Sequence, residues 1–255
     1  MPHILLDYHS QHQIAVITLN RPGAHHAINE AMMTRLEEML DEIESSSEVR
    51  VVILTASGVT SFCAGGDLKY FAHLKTSQQA KNMSLRMQSI LNRFWSGKRV
   101  VIAAINGQAF GGGCEILTAC HFRIASNNAK FSFRQAANGV ITGWGGGVRL
   151  FKILGHKALH LLLTADKVDA RVALQYGFVD TVVEAAALLP AAMALASKII
   201  QNSGTAVKAF LDLYRRSQID AEESVIEFEN ETFADLWVRE DFQGWLKEYF
   251  KKAKG

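Results

Sequence analysis

Asn106-Gly-Gln-Ala-Phe-Gly-Gly-Gly-Cys-Glu115 is the stretch on which the reading of this chain turns. An apolar run, Val100 to Ile105, precedes it and predicts a buried strand. The chain breaks on Gly107 and again on Gly111 to Gly113, and a helical pattern starts at once, Cys114 to Cys120. A strand that passes through glycines into a helix leaves unpaired N–H groups at the helix start, where the macrodipole favours negative charge. Glycine also lets the backbone approach a ligand atom, because no β-carbon intervenes. Such a turn suits a phosphate, a carboxylate or a developing oxyanion. It equally suits a tight turn with close helix packing.

A second stretch repeats the arrangement. Val51 to Thr55 predicts a buried strand, and Ala56-Ser57-Gly58 leads from it to Phe62-Cys63-Ala64-Gly65-Gly66-Asp67-Leu68-Lys69. These glycines open a helix with Asp67 in its first turn, where a carboxylate suits the dipole. Two backbone N–H groups converging on one carbonyl oxygen form an oxyanion hole for an enolate or a tetrahedral intermediate.

These two stretches belong to an ordered set that resembles the crotonase (enoyl-CoA hydratase/isomerase) superfamily. The set comprises Leu19-Asn20-Arg21-Pro22, Ser61 to Lys69, Asn106 to Glu115, Gly143-Trp144-Gly145-Gly146, and Ala170 to Asp180. It spans nearly the whole chain. The resemblance implies an α/β fold, a crotonase-like spiral of ββα units over residues 1–183, with a helical region over 184–255 for oligomerisation and pocket closure. It implies an acyl-CoA substrate and no permanently bound cofactor; coenzyme A enters as part of the thioester. It implies homotrimers or dimers of trimers.

Carried over by motif, the oxyanion donors are the N–H groups of Gly66 and Gly112, and Glu115 is the carboxylate that orients or deprotonates a water. The CoA would run past Ala27, Ala64, Asp67, Leu68 and Lys69, with Phe250 and Lys251 near the CoA of a neighbour. Met87, Arg134 and Trp144 would border the acyl pocket. The second glutamate of a typical hydratase falls on Gln135, which exchanges hydrogen bonds but carries no proton at neutral pH. Thr142 replaces the family's proline, and His26 stands where asparagine is usual. Loss of one general acid or base commonly costs about 10²–10⁴-fold. A single carboxylate still serves double-bond isomerisation, hydration of a special substrate, or decarboxylation of a malonyl-type (methylmalonyl- or ethylmalonyl-) CoA thioester. For the last, Arg134 stands beside the uncharged Gln135 to attract a substrate carboxylate. A catalytically weak acyl-CoA binder is the alternative from another class.

Bulk properties agree. Of 255 residues, 49% are hydrophobic, enough for one large domain, and the net charge of +2 gives no argument for nucleic acid. Three cysteines, Cys63, Cys114 and Cys120, fit neither a disulfide scaffold nor a zinc site. A cytoplasmic protein is expected: Met1 to Asp7 lacks the marks of a secretory signal, and no apolar run has membrane-spanning length. Val148 breaks the dinucleotide fingerprint at Gly143–Gly147, and neither a Walker A motif nor a Gly-x-Ser-x-Gly elbow occurs.

In order, the predicted elements are strands at Ile4–Tyr8 and Gln13–Leu19 and a helix from Asn29 to Ser45. A helix from Ser77 or Gln78 to Trp95 carries Met83, Met87, Ile90, Leu91 and Phe94 on one face. Strands follow at Phe122–Ala125 and Lys130–Phe133, helices at Gly147–Leu154, Lys157–Leu163 and Ala170–Tyr176, and a strand at Phe178–Val183. Helices are then predicted at Glu184–Asn202, Gly204–Arg216, Asp220–Leu236 and Arg239–Ala253. The pair His25-His26 reads as loop surface.

Overall fold

The computed structural model describes residues 2–11, 13–219, 231, 233–238 and 240–252, without the side chains of 216, 217, 219 and 241. Strands β1 (Ile4–His9) and β2 (Ile14–Leu19) form an antiparallel hairpin. Helix α1 (Glu30–Ser45) then carries the chain to β3 (Val51–Ala56), which pairs parallel with β2. The Asn29 side chain caps α1 by accepting from the Met32 amide at 3.0 Å. Strands β5 (Val100–Ile105), β7 (Phe122–Ser126) and β10 (Thr181–Val183) extend the sheet in the order β1-β2-β3-β5-β7-β10.

A second sheet stands beside the first. It contains β4 (Ser61–Cys63), β6 (Gln108–Phe110), β8 (Lys130–Ser132) and β9 (Val168–Asp169) in that order. Each turn of the chain contributes one strand to the large sheet, one to the small sheet, and then helix. The first turn ends in α2 (Leu68–Phe71) and α3 (Ser77–Trp95), the second in α4 (Gly112–Thr118), the third in α5 (Gly146–Leu154) and α6 (Lys157–Thr164). This is the ββα spiral that the resemblance implied.

The inner strands β2, β3 and β5 of the large sheet are buried on both faces, which is why they read as continuous apolar runs. Val52, Leu54, Val101, Ala103 and Ile105 face α1 and α3, while Val51, Ile53, Val100, Ile102 and Ala104 face α8 (Leu188–Ile200) through Leu188, Ala192 and Ala196. The first helix after residue 183 thus covers the outer face of the spiral. Between β9 and β10 lies α7 (Ala170–Tyr176), and α9 (Gly204–Ile219) follows α8. After residues 233–237, which are helical, comes α10 (Glu240–Lys252). Most of the predicted helix Asp220–Leu236 lies outside the described residues.

Three expectations change. The short strands β4, β6 and β9 were not anticipated. The predicted strand Phe178–Val183 shrinks to Thr181–Val183, because Phe178 leaves the ladder to pack edge-on against Phe131 and Phe133. The helix expected from Glu184 begins at Leu188, after a 3₁₀ turn at Ala185–Ala187. No single helix among the described residues is long and apolar enough to cross a membrane.

Candidate active site

The small sheet explains how distant motifs meet. Strand β4 pairs parallel with β6 (Ser61↔Gln108, Cys63↔Ala109), and β6 with β8 (Ala109↔Phe131, Phe110↔Ser132). Parallel neighbours end on the same edge, so Ala64-Gly65-Gly66, Gly111-Gly112 and Phe133-Arg134-Gln135 emerge side by side. All but Gly65 and Phe133 of these line one cavity of about 330 Å³, together with Leu68, Glu115, Trp144 and Ile141.

Glycine is required here by close approach. A β-carbon on Gly65, whose φ is +98°, would stand 2.9 Å from the Gly112 nitrogen and from the Phe110 carbonyl oxygen. A β-carbon on Gly66 would overlap the Phe71 ring, and one on Gly112 would overlap the Trp144 ring. The Gly112 amide is the first of α4, so it has no acceptor within its helix.

Glu115 is 3% exposed and lies in the first turn of α4. Its Oε2 accepts from the amides of Trp144 (2.7 Å) and Gly146 (3.1 Å). Its Oε1 accepts from Gln135 Nε2 at 2.8 Å and from the Gly143 amide at 3.4 Å. Four donors occupy the lone-pair directions of one carboxylate, and the Gly143 contact is the longest. Burial pushes the Glu115 pKa up; the Trp144 and Gly146 amides, the Arg149 charge and Gln135 oppose that rise. Arg149, on α5, is 2% exposed. It donates to Thr118 Oγ1 at 3.1 Å and to the Trp144 carbonyl.

Trp144 is nearly buried. Its indole N–H donates to Met83 Sδ at 3.4 Å, which turns the six-membered ring onto Gly112. Met87, expected along the pocket, is wholly buried core and does not line the cavity; Met83 is the methionine in contact with Trp144. Arg134 is exposed and lines the cavity.

Asp67 is the N-cap of α2, not a member of its first turn. Its carboxylate accepts from the Lys69 amide at 2.8 Å and pairs with Arg21 Nη1 at 2.5 Å. Arg21 also donates to the Ala27 carbonyl at 2.9 Å, so the 21–28 loop and the Gly66 turn are fastened together. The Asp67 amide donates to Ile28 O at 2.8 Å, and the Ile28 amide to Gly65 O at 2.7 Å. Lys69 is exposed beside this junction.

His26 is 2% exposed, against the expectation of loop surface. Its Nδ1 accepts from the Arg21 amide at 3.0 Å, which leaves Nε2–H to donate to Ser57 O at 3.1 Å. Both ring nitrogens are spent on backbone, and burial lowers the pKa. The residue has a φ of +56°, a region in which asparagine and histidine are enriched.

The C-terminal segment supplies a wall of the cavity through side chains that no motif named. Phe233, Trp237, Phe242, Trp245 and Tyr249 line it. Trp237 packs edge-on against Phe71 at 4.8 Å and beside Phe242 at 4.5 Å, and its indole N–H donates to Leu74 O at 2.9 Å. Phe250 packs against the core, and Lys251 is exposed; neither lines this cavity.

Among the described residues no cluster of histidine, cysteine, aspartate or glutamate is arranged to hold a metal ion.

Comparison with known proteins agrees with this geometry. The sequence profile of the enoyl-CoA hydratase/isomerase family matches residues 9–255. The chain is 35% identical over 243 residues to the short-chain-enoyl-CoA hydratase of Clostridium acetobutylicum, covering 95% of this chain and 93% of that protein. It is 31% identical over 228 residues to the ethylmalonyl-CoA decarboxylase of Gallus gallus, covering 88% and 76%. The crystal structure of the enoyl-CoA hydratase from Bacillus anthracis superposes with a TM-score of 0.81 at 30% identity, covering 98% and 96%. Likeness on this scale, in sequence and in fold together, places the chain in the enoyl-CoA hydratase/isomerase family.

Proposed function

We propose that the cavity takes the acyl end of an enoyl-CoA, with the thioester oxygen accepting from the Gly66 and Gly112 amides. The observation that carries this reading is the delivery of both glycines, by adjacent parallel strands, to one cavity that also holds the buried Glu115. In hydration, a water oxygen bonds to the β-carbon and the double-bond electrons move to an enolate held by the two amides. Glu115 takes the water's proton and returns it to the α-carbon. In double-bond isomerisation the same carboxylate moves a proton between the γ- and α-carbons. The Gly143 contact on Oε1, long at 3.4 Å, is the position that yields to an incoming proton.

The CoA moiety lies along Ala27, Ala64, Leu68 and Lys69 in this reading, with Asp67 acting through its hold on Arg21. Phe250 and Lys251 reach a neighbour's CoA. The assembly is a cytoplasmic homotrimer or dimer of trimers. Exposed apolar side chains support association, among them Phe151, Leu159, Leu163 and Phe210. Mass spectrometry of crotonyl-CoA and a 3-enoyl-CoA incubated with the purified protein tests the reading. Gain of water or a shifted double bond is expected; neither on any enoyl-CoA overturns it.

A second reading, decarboxylation of a malonyl-type thioester, is favoured by Arg134. Arg134 lines the cavity next to the neutral Gln135, so a substrate carboxylate would meet a cation there, with Glu115 the one carboxylate among the lining residues. Loss of carbon dioxide from ethylmalonyl-CoA, with crotonyl-CoA untouched, would select it.

A further inference from the structure

Helix α3 buries two polar side chains among its apolar ones. Ser84 and Gln88 lie four residues apart, on one face, and are 0% and 4% exposed. Buried polar groups need partners, and these two share one. Ser84 Oγ donates to the Gly143 carbonyl, and Gln88 Nε2 donates to the same oxygen at 2.9 Å and to Ser84 Oγ at 3.4 Å. The other end of that peptide is the Trp144 N–H, which donates to Glu115 Oε2 at 2.7 Å. The peptide is trans and planar, so its C=O and N–H point in opposite directions. Donors that fix the oxygen therefore aim the hydrogen at the carboxylate. Hydrogen bonds in series also polarise one another, so two donors on the oxygen make the N–H a stronger donor.

We infer that Ser84 and Gln88 are positioning residues for the reaction: through the 143–144 peptide they aim and strengthen the Trp144 N–H that holds the Glu115 carboxylate in its ionised form. The inference rests on the enoyl-CoA reading, in which Glu115 carries the proton, and adds to it. Neither side chain lines the reaction cavity, so neither touches substrate. A hydrogen bond to the charged form of an acid favours that form. Burial raises the Glu115 pKa, and this relay limits the rise. Arg149 on α5 and the neighbouring Cys114 thiol are the titratable groups that interact with Glu115, while Arg134 and Tyr249 share its cavity. Ser84 and Gln88 act on it from α3 by hydrogen bonds, without charge.

The pH dependence of kcat/KM separates this role from plain packing. Gln88→Met and Ser84→Ala each remove one donor. Each should move the rising limb for crotonyl-CoA up by about half a pH unit, because a weaker amide stabilises the carboxylate less. Leu91→Ala, in the buried face of the same helix, should lower the melting temperature and leave the midpoint where it is. Carbon-13 NMR titration of the glutamate side-chain carboxyls, with Glu115→Gln assigning the resonance, reads the same displacement without turnover. If Gln88→Met does not melt cooperatively, Ser84→Ala carries the test. A midpoint that stays in place in the folded variant, or that Leu91→Ala moves as far, overturns the inference alone. Absence of turnover of any enoyl-CoA by the unmutated protein removes the enoyl-CoA reading instead, and the resonance then decides the relay by itself.

Discussion

The Trp144 amide donates to Glu115 Oε2 at 2.7 Å, while the Trp144 indole lies on the α-carbon of Gly112. One residue therefore positions the carboxylate with its backbone and walls the Gly112 turn with its ring. The 143–146 loop folds around Glu115 as around an anion, and three of the four hydrogen bonds on that carboxylate come from its amides. The carboxylate proposed to carry the proton is thus also a structural ligand of the loop.

Glu115→Gln separates these two duties. The variant carries no proton, and turnover of crotonyl-CoA is expected to fall by about 10²–10⁴-fold. Its amide NH₂ must face either the Trp144 and Gly146 amides or the Gln135 amide and the Gly143 N–H, donor against donor. A stability loss of about 1–3 kcal/mol follows from the unmade hydrogen bonds. Steady-state kinetics and thermal melting report the two effects, and unchanged turnover would remove Glu115 from the chemistry.

The pH profile should carry the mark of burial. Glu115 works as a base only when ionised, and its pKa is raised, so kcat/KM should climb with pH through a midpoint above the ordinary glutamate value. The folded chain binds this proton more tightly than the unfolded chain does. The group's contribution to stability is therefore greatest below the ordinary glutamate pKa and declines as pH rises to the raised one. Activity and this stability contribution move oppositely within one window. A rate midpoint at or below the usual glutamate value would contradict the assignment.

Gly112→Ala and Trp144→Leu should not be additive. The new β-carbon of Gly112→Ala meets the Trp144 ring, which Glu115 and Met83 hold in place, so turnover and stability should both drop. Trp144→Leu alone opens space toward Met83 and should shift relative kcat/KM from short toward longer acyl chains. In the double variant the clash is absent, and part of the Gly112→Ala loss should return. A double-mutant cycle with a coupling of about 0.5–3 kcal/mol is the expected outcome. Strict additivity would mean that the ring does not confine the turn.

The long elements were legible because their patterns are long. The Met32, Met33, Leu36, Met39, Leu40 and Ile43 stripe predicts α1 to within a residue, and the buried runs Val51–Thr55 and Val100–Ile105 are strands. Three-residue strands such as Ser61–Cys63 carry no period, yet they bring the glycine turns together. Glu115 stood out by its place after three glycines. Arg149 did not, since one cation in an apolar helix looks like any solvated side chain until the fold buries it. Pocket closure by the C-terminal region was expected from the resemblance, but the side chains that line the cavity were hidden for a similar reason: Trp245 and Tyr249 on an amphipathic helix look like an ordinary packing face. His26 was misread because a polar loop says nothing of which backbone groups its ring will satisfy.

Arg21 and Asp67 offer a test of how the oxyanion turn is held. Among the described residues the pair is the only side-chain tie between the 21–28 loop and the start of α2, and Asp67 is 6% exposed. Asp67→Ala removes the α2 cap, the ion pair and the acceptor for the Lys69 amide together. Loss of the cap alone costs about 0.5–2 kcal/mol, and the Arg21 guanidinium is left part-buried with only the Ala27 carbonyl as acceptor. Asp67→Asn keeps an acceptor for the Lys69 amide but weakens the pair. Ile28 holds the peptides on both sides of Gly66: its amide donates to Gly65 O, on the peptide that carries the Gly66 N–H, and its carbonyl accepts from the Asp67 amide. If this bracket sets the direction of the Gly66 N–H, Asp67→Ala should lower kcat more than it raises KM, because the thioester enolate is stabilised only in the transition state. Asp67→Asn should fall between the two. A rise in KM with kcat unchanged would assign Asp67 to CoA binding rather than to the geometry of the turn.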